Sequence, residues 1–97
     1  MNGLEILSAT RMQVLDIARK HGVKSLRVFG SVARGEDSNG SDFDFLILEY
    51  GPERTPWFPG GFVSDLENLL GRPVDVAFED SLHPIMREQI LLESRPI

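Results

Sequence analysis

Two spacings of apolar residues alternate along this chain. Val14, Ile17, Ala18 and His21 recur at three- and four-residue steps, which marks one face of a helix. Thr10-Arg11-Met12-Gln13 ahead of them fits a capping box, and Gly22 stops the stripe. The segment 24–30, KSLRVFG, reads as a short strand with Leu26 and Val28 on one face, followed by a turn of helix over 31–35. DFDFLILEY, 42–50, is the clearest strand, apolar on both faces after its first residues, as expected of a strand covered on both sides. Phe62, Leu66, Leu69 and Leu70 return to helical spacing until Gly71 and Pro73. PVDVAF, 73–78, is a third strand. Ser81 is placed to cap a last helix carrying Ile85, Met86, Ile90 and Leu91, with Pro84 tolerable in its first turn.

The resulting order, α-β-α-β-α-β-α, predicts a small α/β domain with helices flanking a sheet. Ninety-seven residues, 41% of them hydrophobic, suffice for one core, so residues 1–97 are expected to form a single domain. Only YGPERTPWFPGG, 50–61, has the Pro and Gly density of a long loop. The absence of cysteine excludes disulfides and thiolate-bound metals, leaving packing to stabilise the fold. No basic start followed by a long apolar run opens the chain, which predicts a soluble, unexported, cytoplasmic protein with no membrane partner.

Net charge is -5, and the Lys and Arg residues are scattered singly. That argues against a duplex-binding surface, which needs a clustered basic patch. It leaves room for a nucleotide that arrives with metal ions.

The chemistry concentrates in two places. Residues two apart on a strand point the same way, so Asp42 and Asp44 share a face at the start of an otherwise apolar segment. Two such charges ~4 Å apart at an effective dielectric of ~20 repel by roughly 4 kcal/mol. Asp75 repeats the pattern in the third strand, where Val74, Val76 and Phe78 face the other way. If the two strands are neighbours, three carboxylates could gather, and a hard divalent cation such as Mg²⁺ is the simplest compensation. A pair of such ions serves in-line phosphoryl or nucleotidyl displacement. The competing explanation gives Asp42 to turn chemistry, Asp44 to a solvent-facing edge strand and Asp75 to an arginine partner. Upstream, Gly30 and Ser31 lie where a strand gives way to helix, and glycine permits close backbone approach to a ligand. Arg34, one turn on, could clamp phosphate oxygens.

Gly30-Ser31, ten residues, Asp42-x-Asp44 and the later strand Asp75 together resemble the DNA polymerase β-like nucleotidyltransferase superfamily. Within it, GSVARGEDSNGSDFDFLI and the tail LGRPVDVAFEDSLHPIMREQILLESRPI look most like minimal nucleotidyltransferases, the antitoxins of HEPN–MNT toxin–antitoxin pairs. The resemblance spans nearly the whole chain. It implies the polymerase β-like fold, with a small mixed sheet and flanking helices, and catalytic Mg²⁺ held by Asp42, Asp44 and Asp75. It also implies nucleotide binding at Gly30, Ser31 and Arg34, and transfer of AMP from ATP to a tyrosine of a HEPN RNase toxin. Other readings keep the fold but change the role: an antitoxin acting by contact alone, or transfer to a small molecule such as an aminoglycoside or to an RNA end. So short a chain leaves no residues for an acceptor-recognition domain, which points to a docked partner. Tyr50, Trp57 and Phe58 could belong to that surface or plug the sheet edge. His21 and His83 are expected to cap helices or face solvent, Met12 and Met86 to fill the core, and Asp16, Asp65 and Glu67 to lie on solvated helix faces.

Overall fold

The computed structural model describes residues 1–52 and 56–97; residues 53–55 of the expected long loop lie outside the described residues. The chain opens with a helix that the apolar spacing did not announce, α1 (Gly3–Ala9). A capping box starts it: Asn2 Oδ1 accepts from the Glu5 amide at 2.9 Å, and the Asn2 amide donates to Glu5 Oε1 at 3.0 Å. The expected box at Thr10 is absent, because Thr10 also ends α1 and its hydroxyl donates back to the Ile6 carbonyl at 2.7 Å. α2 (Arg11–Lys20) follows directly, then β1 (Val23–Phe29), α3 (Gly30–Arg34), β2 (Phe43–Tyr50), α4 (Gly60–Leu70) and β3 (Val74–Phe78). A 3₁₀ turn (Glu79–Ser81) separates β3 from α5 (Pro84–Glu93), so Ser81 does not cap that helix; the His83 ring accepts from the Ile85 amide at 3.3 Å. A final short strand, β4 (Arg95–Pro96), closes the chain.

The sheet runs β3-β2-β1-β4 and is mixed, with β2 parallel to β3 and antiparallel to β1. β2 is therefore interior, and the edge-strand explanation of Asp44 fails. On one face of the sheet Phe43, Phe45 and Ile47 pack with Val28 and Val74 beneath Val14, Phe62 and Leu66 of the helices, forming the core. Alternation turns the other residues of the same strands away: Asp44 stands opposite Asp75, and Leu46 opposite Ala77. Leu46 is fully buried there, in keeping with a strand covered on both sides. Met12 and Met86, expected in the core, are 63% and 55% exposed. On α2 the inward positions go to Val14 and Ala18, and α5, which carries Met86, has no buried residue at all. Among the described residues no helix is long and apolar enough to cross a membrane.

A buried ion pair ties the segment between α3 and β2 to the rest. Arg72 Nη2 donates to Asp37 Oδ2 at 2.9 Å, with the two side chains 7% and 0% exposed. The same Asp37 oxygen accepts the Gly3 amide at 2.8 Å, and Arg72 Nη1 donates to the Ser38 carbonyl at 2.9 Å. The guanidinium lies 4.4 Å from the Phe43 ring centroid. One pair thus joins the start of α1, the loop leading to β2 and the short link between α4 and β3. Asp37 Oδ1 and Arg72 Nε have no hydrogen-bond partner among the described residues, so the pair is incompletely satisfied.

Removing one partner from such a pair strands a buried charge, whereas replacing both with hydrocarbon often restores stability. Asp37→Ala is expected to cost about 3 kcal/mol in urea denaturation. The double variant Asp37→Leu with Arg72→Met is expected to cost less than the single one.

Candidate active site

The site is built where β1 turns into α3 beside the first residues of β2. Gly30 takes φ +72°, in the left-handed region, so the chain can leave β1 and enter α3 at once. A Cβ there would collide with Asp44 Oδ2. Glycine at this position therefore meets two demands, a backbone angle and the space for a carboxylate against the backbone. α3 ends at Gly35, also left-handed at φ +71°, where a Cβ would meet nothing within 4 Å.

Asp44 is half-buried, while Asp42 and Asp75 are exposed. Asp44 and Asp75 are direct partners in the parallel ladder, on the face opposite the core, and Asp42 immediately precedes β2. The Asp44 carboxyl is pushed above the usual aspartate range, first by burial and then by the charges of Asp75 and Asp42. Glu93 adds to that push and Arg34 opposes it. Asp44 thus senses both of the other aspartates, and Arg34 supplies only part of the compensation.

Among the described residues no three His, Cys, Asp or Glu side chains form a ready ligand set for a metal. The donor set nevertheless suits Mg²⁺: all its atoms are carboxylate oxygens, and an added cation would relieve the repulsion recorded at Asp44. Asp42, Asp44 and Asp75 are the residues that would hold it.

Arg34 lies at the end of α3, its Nη1 3.1 Å from Glu93 Oε2 and its Nε 3.2 Å from Glu36 Oε2. The other Glu93 oxygen accepts the Gly30 amide at 3.0 Å. Glu93 is the residue of this site that sequence reasoning missed. It belongs to the last turn of α5, some sixty positions from Gly30, and no local spacing links the two. Ser31 follows Gly30 in the first turn of α3 and is half-buried.

The histidines stay outside. His21, expected to cap a helix or face solvent, does end α2, but its side chain is buried and its Nε2 lies 2.7 Å from Asp65 Oδ2. Its ring also meets the Phe62 edge in the core. Asp65, expected on a solvated face, is instead held below its ordinary pKa by His21 and then Lys20. Glu67 also has a task, accepting the Val74 amide at 3.0 Å. Trp57 is 81% exposed, whereas Phe58 packs against Tyr50, Phe62 and Phe78. Phe58 and Tyr50 thus pack at the sheet edge beside Phe78, while Trp57 stays exposed.

Comparison with known proteins places this geometry in context. A family model described as a nucleotidyltransferase domain matches residues 11–97. A Methanocaldococcus jannaschii chain named as a protein adenylyltransferase, MJ0435, is 35% identical over 91% of this chain and 94% of its own length. A second from the same organism, MJ1379, bearing the same activity in its name, is 34% identical over 84% and 91%. A solved structure described as a minimal nucleotidyltransferase superposes with TM-score 0.83 at 43% identity, covering 100% of this chain and 97% of that one. A toxin–antitoxin structure with AMP-PNP shares the fold, with TM-score 0.71 at 17% identity, over 88% of this chain and 69% of that one.

The two left-handed glycines give a paired test. Gly35→Ala meets open space and is expected to cost only the left-handed strain, about 1–2 kcal/mol in thermal or urea unfolding. Gly30→Ala adds the collision with Asp44 and is expected to cost more. Asp44→Asn removes a carboxylate whose pKa is raised by folding, so the variant should be more stable than wild type at pH 7. That gain is full above the folded-state pKa of Asp44. It shrinks as pH falls through that value and disappears below the ordinary 3.8, where the wild-type carboxyl is protonated in both states.

Proposed function

Because this chain belongs to the nucleotidyltransferase domain family, we propose that it is a Mg²⁺-dependent protein adenylyltransferase that moves AMP from ATP to a tyrosine hydroxyl of a HEPN-family RNase toxin, and so acts as that toxin's antitoxin. The observation that carries this is the ladder pairing of Asp44 with Asp75, beside a glycine whose backbone makes room for the Asp44 carboxylate. The names of the relatives support protein as acceptor. The toxin–antitoxin neighbour with AMP-PNP supports an adenine nucleotide and a toxin partner. Trp57, Ile85 and Leu92, 81%, 66% and 81% exposed, are apolar side chains that a docked protein would cover.

In this mechanism the acceptor hydroxyl oxygen bonds to the α-phosphorus of ATP. The bond from that phosphorus to the oxygen bridging the β-phosphate breaks, and pyrophosphate leaves. The hydroxyl proton passes to Asp75, which is exposed and within reach of an incoming acceptor. Asp42, Asp44 and Asp75 would hold Mg²⁺, which when bound would supply positive charge to offset the negative charge that develops in the transfer. The Gly30 amide, the Ser31 hydroxyl and the Arg34 guanidinium steady the leaving diphosphate. Rate enhancement then comes mostly from positioning and charge neutralisation, as is general for transfers at phosphorus.

Incubation with labelled ATP, Mg²⁺ and a candidate HEPN-family toxin is expected to label the toxin. Asp42→Asn with Asp44→Asn should lower that labelling by roughly 100-fold or more and release the toxin's RNase activity. Full toxin neutralisation by the unlabelling variant would instead identify an antitoxin that acts by contact. Absence of label from wild type would overturn protein adenylylation.

A further inference from the structure

We propose that Glu93 is a built-in competitor of the nucleotide's polyphosphate: its carboxylate sits on the Gly30 amide and the Arg34 guanidinium, and a bound polyphosphate must turn it out. The inference rests on the reading that Gly30 and Arg34 hold that polyphosphate.

Both oxygens of Glu93 are engaged, one by the Gly30 amide at 3.0 Å and one by Arg34 Nη1 at 3.1 Å. A backbone amide and a guanidinium bridged by two oxygens of one anion is how a phosphate would also be held. Glu93 reaches this position against like charge, since it is one of the groups that push the Asp44 carboxyl up. The attraction that keeps it there therefore comes from the amide and the arginine.

The backbone around Glu93 is fastened by buried contacts, while its side chain is held only by the two groups a phosphate would take. Ser94 is buried; Arg27 Nε donates to its hydroxyl at 2.7 Å and Arg27 Nη2 to its carbonyl at 3.0 Å. Arg95 Nε donates to the Ala33 carbonyl at 2.6 Å, next to Arg34. The end of α5 is thus pinned beside α3, which keeps the Glu93 carboxylate at high local concentration over the slot. The side chains of Glu93 and Arg34 are 31% and 44% exposed, so an incoming anion can reach them and rotation of Glu93 alone vacates the position. The nucleotide's polyphosphate must outcompete a tethered carboxylate, which lowers nucleotide affinity.

The test is calorimetric titration of the full chain, with Mg²⁺, by ATP, inorganic tripolyphosphate and adenosine. Glu93→Gln keeps the shape and removes the charge, and should bind ATP and tripolyphosphate roughly 3- to 10-fold more tightly, with adenosine unchanged. Arg34→Ala should weaken both phosphate ligands. If Arg34→Ala weakens them but Glu93→Gln brings no gain, or a gain shared by adenosine, the competitor role is wrong and the site stands. If Arg34→Ala changes nothing, the underlying site reading is wrong. A second measurement needs no variant: the side-chain carboxyl carbon resonance of Glu93 in wild type should shift on saturation with tripolyphosphate. An unmoved resonance overturns the displacement.

Discussion

Two carboxylates held side by side in adjacent parallel strands are the constraint around which this molecule is arranged. Strands of a sheet lie about 4.8 Å apart, so a ladder that pairs Asp44 with Asp75 cannot separate their charges by more than side-chain rotation allows. The Asp44 carboxyl responds as expected of a charge that is both desolvated and crowded. An acidic pair shared by an interior strand and its edge neighbour weakens a free-standing fold and suits the proposed task of gathering cations and phosphate. The surroundings follow from that. Gly30 gives up its side chain to the Asp44 carboxylate, and Arg34 brings the nearest positive charge from the same short helix.

Stability is supplied from the other side of the sheet. Phe43 and Phe45 alternate with the aspartates and are fully buried, so the residues that point Asp44 outward are the ones that anchor β2 in the core. The loop that carries the chain from α3 to β2 is held by Asp37 through Arg72, and β2 is tied at its first residue by the Phe43 amide donating to the Pro73 carbonyl at 2.9 Å. The far end of the chain performs a matching task. Ser94 and Arg95 dock on β1 and α3, which places the end of α5 beside the Gly30 turn. The proposed nucleotidyltransferase site is therefore assembled from segments distant in sequence and clamped by arginines.

Much of this was legible in residue spacing. The strands expected over 42–50 and 73–78 are present to within a residue, and period-two geometry sets Asp44 and Asp75 apart from the apolar face of each strand; the parallel register then makes them neighbours. Glycine stops at Gly22 and Gly71 marked helix ends that the structure retains, both with positive φ. What spacing could not reveal lay in long-range contacts. Leu7 is the only apolar side chain that α1 buries fully, too little periodicity to announce a helix whose start depends on Asn2 and Glu5. β4 is a strand only because β1 has an open edge for Arg95 and Pro96 to join. Met12 and Met86 were assigned inward by hydrophobicity, yet an exposed helix face obeys its neighbours rather than its own composition. His21 and Asp65 meet across forty-four positions, and Glu93 meets Gly30 across sixty-three. No one-dimensional pattern encodes those pairs.

The central claim is that one face of the β2–β3 ladder takes the metal while the Gly30 turn takes the phosphates. The most direct measurement is a crystal structure of this chain with Mn²⁺ and AMP-PNP, the metal located by its anomalous scattering. Anomalous density is expected within coordination distance of Asp42, Asp44 and Asp75 oxygens, with the polyphosphate against Gly30, Ser31 and Arg34. Metal bound at other carboxylates, or a polyphosphate seated away from the Gly30 turn, would contradict it.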